Sequence, residues 1–98
     1  MSMSRLFGAR EPAGEPIPLV LYTRADCPLC DEMKREIERA DLGDRGMLSV
    51  VDIASDPALL ERYAMSIPVL TIAGRVAFKG RLDAAALRKK LARAPRPE

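Results

Sequence analysis

Residues 19–30 read Leu-Val-Leu-Tyr-Thr-Arg-Ala-Asp-Cys-Pro-Leu-Cys. An apolar run passes through a short polar turn into a Cys-x-x-Cys pair, with Pro28 directly after the first cysteine. Pro28 suits the first position of a helix, where its missing N–H would go unpaired in any case. Cys27 then sits at a helix N-terminus, facing free backbone N–H groups and the positive end of the macrodipole. Both favour the thiolate, the reactive form of the side chain. Cys30 lies one helical turn further on, within reach to close a disulfide.

Working back from this stretch, Ile17–Thr23 is a nearly continuous apolar run and reads as a strand buried on both faces. Residues 1–16 carry Pro12, Gly14 and Pro16 and read as a flexible leader. Working forward, Cys30, Met33, Ile37 and Ala40 recur at spacings of three and four and predict a helix over Pro28–Asp41. Gly43 is the expected stop for that helix. Met47–Ile53 reads as a second strand. Asp56 caps a short helix that begins at Pro57. Val69–Ala73 and Val76–Lys79 flank Gly74 as a hairpin. Asp83 caps a last helix reaching Arg93, and residues 94–98 read as a tail.

The order strand–helix–strand–helix–strand–strand–helix implies an α/β domain over residues 17–93. A helix joins the first two strands, so they are expected to run parallel. The result is one four-stranded mixed sheet flanked by three helices.

Composition narrows the function. The chain has 98 residues, with 48% hydrophobic and 4% aromatic, so one domain with an aliphatic core is expected. A formal net charge of +2 is too small to suggest nucleic-acid binding. The basic cluster Arg88, Lys89, Lys90, Arg93 and Arg96 reads as a solvated helix face and tail. No apolar run is long enough to span a membrane, and the first residues lack a signal-peptide core. A cytoplasmic monomer is expected, where structural disulfides are rare. Two cysteines at this spacing then point to redox chemistry or to metal binding.

A strand ending in Cys-x-x-Cys at a helix start, followed by Ser66-Ile67-Pro68 before a hairpin, resembles the thioredoxin fold. Within that superfamily the chain resembles the glutaredoxin-like family. Tyr22–Cys30 resembles the pattern Tyr-Ser-Lys-x-x-Cys-Pro-Tyr-Cys, and Ser66-Ile67-Pro68 resembles Thr-Val-Pro. Arg24 stands where the family has Lys, and Leu29 where it has Tyr between the cysteines. Gly80-Arg81-Leu82-Asp83 matches the Gly-Gly-x-x-Asp segment in part. Thioredoxins proper carry a buried Asp six residues before the first cysteine, where this chain has Leu21.

The resemblance implies a thiol–disulfide oxidoreductase that uses thiols alone, with no bound cofactor and with glutathione as a candidate co-substrate. Disulfide-containing proteins or glutathionylated substrates would be its partners. Cys27 is the expected nucleophile and Cys30 the resolving thiol. Backbone N–H groups and Arg24 stabilise the Cys27 thiolate while Asp26, Asp31 and Glu32 oppose it, so a lowered but not extreme thiol pKa is expected. Pro68 resembles the family's cis-proline, which would expose the backbone of Ile67 for a substrate to pair as an added strand. Arg24, Pro28, Leu29, Gly80 and Asp83 complete the expected substrate-binding set, Asp83 serving first as a helix cap. Tyr22 and Tyr63 read as packing residues.

Two other readings stay open. A metal or iron–sulfur module would need carboxylate ligands within one chain or ligands shared between subunits, because the chain has two Cys and no His. A non-catalytic interaction domain would keep the fold without the chemistry.

Overall fold

The computed structural model describes residues 15–94. The leader expected over residues 1–16 falls outside it except for Glu15 and Pro16, and the tail except for Ala94. The elements are β1 (Ile17–Thr23), α1 (Pro28–Ala40), β2 (Gly46–Asp52), α2 (Pro57–Tyr63), β3 (Val69–Ile72), β4 (Arg75–Lys79) and α3 (Ala84–Arg93). One four-stranded sheet has the order β2-β1-β3-β4. β1 runs parallel to β2, with Ile17 beside Gly46 and Thr23 beside Asp52. β3 runs antiparallel to β1 and to β4. No helix among the described residues is long and apolar enough to cross a membrane.

The sheet has two unequal faces. On one, Ile17, Leu19 and Leu21 of β1 are 0% exposed and pack with Met33, Ile37, Leu70, Leu87 and Leu91 under α1 and α3. On the other, a smaller cluster of Ile53, Tyr63 and Val69 gathers Tyr22, Leu59 and Ile67 beneath α2. β1 is therefore not buried on both faces, as its apolar run suggests. Pro18 is exposed and Val20 half-buried, because α2 has only two turns and covers the Tyr22 end alone. The run of apolar residues records β1's central place in the sheet, and helices seal only one side of it.

Several boundaries differ from the sequence reading. α1 ends at Ala40, and Asp41 takes the left-handed capping conformation at φ 52, its N–H donating to Glu38 O at 3.1 Å. Gly43 is not the stop, but it opens a 3-10 turn two residues later. The apolar stripe of α1 ends at Ala40, and the chain leaves the helix at the next residue able to adopt a positive φ. Ile53 is not in β2. It enters a 3-10 turn whose N–H at Ala54 is taken by the Asp52 carboxylate at 2.9 Å, and this drops Ile53 into the second cluster. Arg75 joins β4, ahead of the expected start at Val76.

The β3–β4 turn explains why Ala73 is not in its strand. Ala73 and Gly74 both have positive φ, 52 and 83, the pattern of a two-residue hairpin turn matched to strand twist. An alanine side chain in that region costs about 1 kcal/mol. Ala73→Gly relieves that strain, although its unfolded chain is freer. The variant is expected to gain about 0.5–1 kcal/mol, read as a higher urea midpoint at unchanged slope. A lower midpoint would contradict the strain at this turn.

Candidate active site

Several of the residues expected at the site lie around the end of the sheet where β1 finishes. Tyr22 pairs with Val69 in the β1–β3 register, so Pro68 follows on opposite Thr23, just before the turn into Cys27. The Ile67–Pro68 peptide is cis, and Pro68 is buried. Gly80 is tied to the same place, its N–H donating to Pro68 O at 2.8 Å. Tyr63 holds the approach to the proline. Its carbonyl accepts the N–H groups of Ser66 and Ile67 at 2.8 and 3.1 Å, and its ring stacks on Tyr22 with centroids 4.5 Å apart.

Cys27 is the N-cap of α1 and has extended backbone geometry, with φ −122 and ψ 96. The Cys30 N–H donates to Cys27 Sγ at 3.1 Å, and the Asp31 N–H donates to the Cys27 carbonyl, also at 3.1 Å. Pro28 occupies the first helical turn, as its chemistry favours. Cys27 and Cys30 form a disulfide with Cα atoms 5.2 Å apart. The two sulfurs differ in surroundings, because Cys27 is half-exposed whereas Cys30 is 3% exposed on the stripe with Met33 and Ile37. Arg24 is exposed in the turn before Cys27, Pro28 is exposed and Leu29 is half-exposed. Ile67 is half-buried beside Pro68.

Asp83 is placed mainly as a cap. Its Oδ1 accepts the N–H groups of Ala85 and Ala86 at 2.9 and 3.2 Å. Together with Gly80 it lines a cleft against α1, whose opposite wall includes Glu32, Arg35 and Glu36. Cys27, Arg24 and Ile67 do not line that cleft. The site residues therefore fall into two neighbouring groups, one around the cysteines and one along α1.

Two residues of this region were not singled out from the sequence. Glu36 reaches across 48 positions to accept the Ala84 N–H at 3.1 Å, locking α1 to the start of α3. Arg81 pairs with Glu32 at 3.6 Å across the cleft. Both side chains of that pair are largely exposed, so it adds little stability. No local spacing signals either contact, since each joins elements distant in sequence.

No group of three or more metal-ligating side chains occurs among the described residues.

A parallel β–α–β unit followed by a cis-proline hairpin and a closing helix, with paired cysteines at the first helix start, is a thioredoxin-like α/β fold. An X-ray structure of Northeast Structural Genomics target protein XcR50 from X. campestris matches with a TM-score of 0.67 and 37% identity, covering 79% of this chain and 99% of that one. The solution structure of XcR50 matches with the same TM-score of 0.67 and identity of 37%, over 80% and 96% of the two chains. Trxlp from Edwardsiella tarda EIB202 shares the fold at 21% identity, with a TM-score of 0.54 over 81% and 84%. The family model described as glutaredoxin-like domain (DUF836) matches residues 18–92. The chain belongs to this glutaredoxin-like family.

Proposed function

We propose that this protein is a dithiol–disulfide oxidoreductase in which Cys27 attacks and Cys30 resolves. The observation that carries the reading is the placement of Cys27 Sγ at the open end of α1, where it receives the Cys30 N–H and lies bonded to a buried partner sulfur. A thiolate at that position gains a charge-assisted hydrogen bond and the helix dipole.

The steps balance as two thiol–disulfide exchanges. The Cys27 thiolate bonds to one sulfur of a substrate disulfide, and the other sulfur leaves as a thiolate. The Cys30 thiol gives up its proton and bonds to Cys27 Sγ, and the first substrate sulfur leaves. Two electrons pass to the substrate, and the Cys27–Cys30 disulfide remains. An external thiol, glutathione or a thioredoxin system, restores the dithiol. The backbone of Ile67 beside cis-Pro68 offers a substrate chain a strand to pair with. Arg24, exposed one turn before Cys27, offers a cation to a substrate carboxylate. Protein disulfides and glutathionylated proteins are the proposed substrates.

The test is alkylation of the reduced protein at neutral pH, followed by peptide mass mapping, alongside reduction assays with glutathione and with a thioredoxin system. Cys27 is expected to label about tenfold or more faster than Cys30, because burial disfavours the Cys30 thiolate. Equal rates, faster labelling of Cys30, or failure to turn over disulfides in both reducing systems would refute the reading.

A further inference from the structure

β4 is an edge strand of the sheet, and between it and α3 runs a groove of about 1000 Å³. Its floor is apolar and shallow. Phe78 and Ala86 lie half-buried there, and the short side chains of α3's first turn leave the space open. Its rim is basic, formed by Arg75 at the start of β4 and by Lys89, Lys90 and Arg93 along α3. All four are exposed. The two ion pairs among the described residues, Arg39–Glu36 and Arg81–Glu32, use none of them. Lys90 extends its ammonium to 5.9 Å from the centre of the Phe78 ring, so its charge is held over the apolar floor. The acidic residue lining the groove, Asp83, lies at its far end and is engaged with the N–H groups of α3.

Three properties thus coincide along one line: an outward backbone edge, bulged at Ala77, an apolar trough, and four cations that neither ion pair of the described residues uses. An edge strand accepts an added strand through its main chain, and alternate side chains of that strand fall to one side. Here one set would lie in the trough over Phe78 and Ala86, and the rest would meet the basic rim. The net charge of the whole chain is only +2, so this concentration is local. It matches an anionic partner in sign and steers its approach.

We infer that the β4–α3 groove docks an extended acidic segment of a partner protein, with acidic and apolar residues in alternation. The inference does not depend on the redox chemistry, because it can be read in a chain carrying serine at both cysteine positions.

The probe is a fluorescein-labelled peptide of ten residues alternating Glu with Leu or Val, compared with one carrying Lys in place of Glu. Anisotropy is expected to rise with the Glu peptide and not with the Lys peptide, and to fall back as salt is added. The pair Lys89→Glu and Arg93→Glu is expected to weaken binding by about tenfold or more. Ala86→Gln fills the trough without changing charge and is expected to weaken it as well. Thermal melting checks that each variant is folded. Amide shifts on peptide addition should map to β4 and to the facing turns of α3.

Equal binding of both peptides, indifference to the charge reversals, or shifts elsewhere would overturn the inference. So would no binding of the Glu peptide while vesicles of phosphatidylcholine and phosphatidylserine sediment the protein through the same cations, which would make this a lipid-contact face.

Discussion

Cys27→Ser is expected to lower disulfide-reducing activity by about a thousandfold or more, to the background of the external thiol. Serine keeps a hydrogen-bond acceptor near the Cys30 N–H, so α1 still starts at the same residue and the fold is expected to persist. What disappears is the half-exposed sulfur of the cysteine pair. Cys30, at 3% exposure, cannot meet a protein disulfide from its place on the apolar stripe. Cys30→Ser gives the opposite outcome. Its Cys27 would attack a substrate once with no neighbouring thiol to release the product, so a mixed disulfide is expected to accumulate in equal amount to the protein. Intact-mass measurement reads this adduct directly. With excess glutathione, release by the external thiol would restore turnover on glutathionylated substrates. Retained activity in Cys27→Ser, or an adduct on Cys30 in the native chain, would reverse the two roles.

Leu21→Asp tests how this chain differs from thioredoxins proper. Leu21 is 0% exposed and pairs with Leu70, also 0% exposed, in the larger core cluster. Removing the isobutyl group alone, as in Leu21→Ala, costs about 2–5 kcal/mol. The carboxyl adds the penalty of a buried polar group among Leu, Ile and Met side chains, and burial pushes its pKa up. A total loss of at least about 4 kcal/mol is expected, a large share of the 5–15 kcal/mol typical of a domain.

The sign of the pH dependence follows from proton binding. In the unfolded chain the new carboxyl titrates near its ordinary value of about 3.9. Between that value and the raised folded value, the folded state holds the proton that the unfolded state has lost. Stability of the variant therefore falls as pH rises through that window and is highest below it. Urea midpoints at acid and neutral pH, each taken relative to the native chain, read this effect. Leu21→Asn, which cannot ionise, should show no such added slope. A Leu21→Asp variant as stable at neutral as at acid pH would mean that a polar partner or water reaches this position.

The junction of β1 and α1 was legible because its causes are local. An apolar strand, a polar turn and Pro28 behind Cys27 need no distant residue to be read. The hairpin and Asp83 as a cap were legible for the same reason. The end of α1 was not, because both Asp41 and Gly43 can adopt the left-handed conformation. Intrinsic preference points to glycine, but the last buried contact of the stripe, at Ala40, decides in favour of Asp41. The pairing of Glu36 with Ala84 was invisible, since a glutamate on a helix flank looks like any solvated residue until α3 is placed beside it. The uneven cover of β1 was hidden similarly. Its composition shows that the strand is central, but the length of α2 determines how much of the second face is sealed.

All three α-helices among the described residues begin on a side chain that takes up a free N–H group. In α2 and α3 the acceptor is a carboxylate oxygen, from Asp56 and Asp83. In α1 it is sulfur. A carboxylate keeps its charge and its strength as an acceptor whatever the oxidant around it, whereas sulfur does not. As a thiolate, Cys27 would carry a full charge into the helix start, and within the disulfide it is a weak neutral acceptor. The oxidation state of the pair is thus also a setting of how firmly α1 begins. A cross-link tightens that first turn in one state, and an anion tightens it in the other.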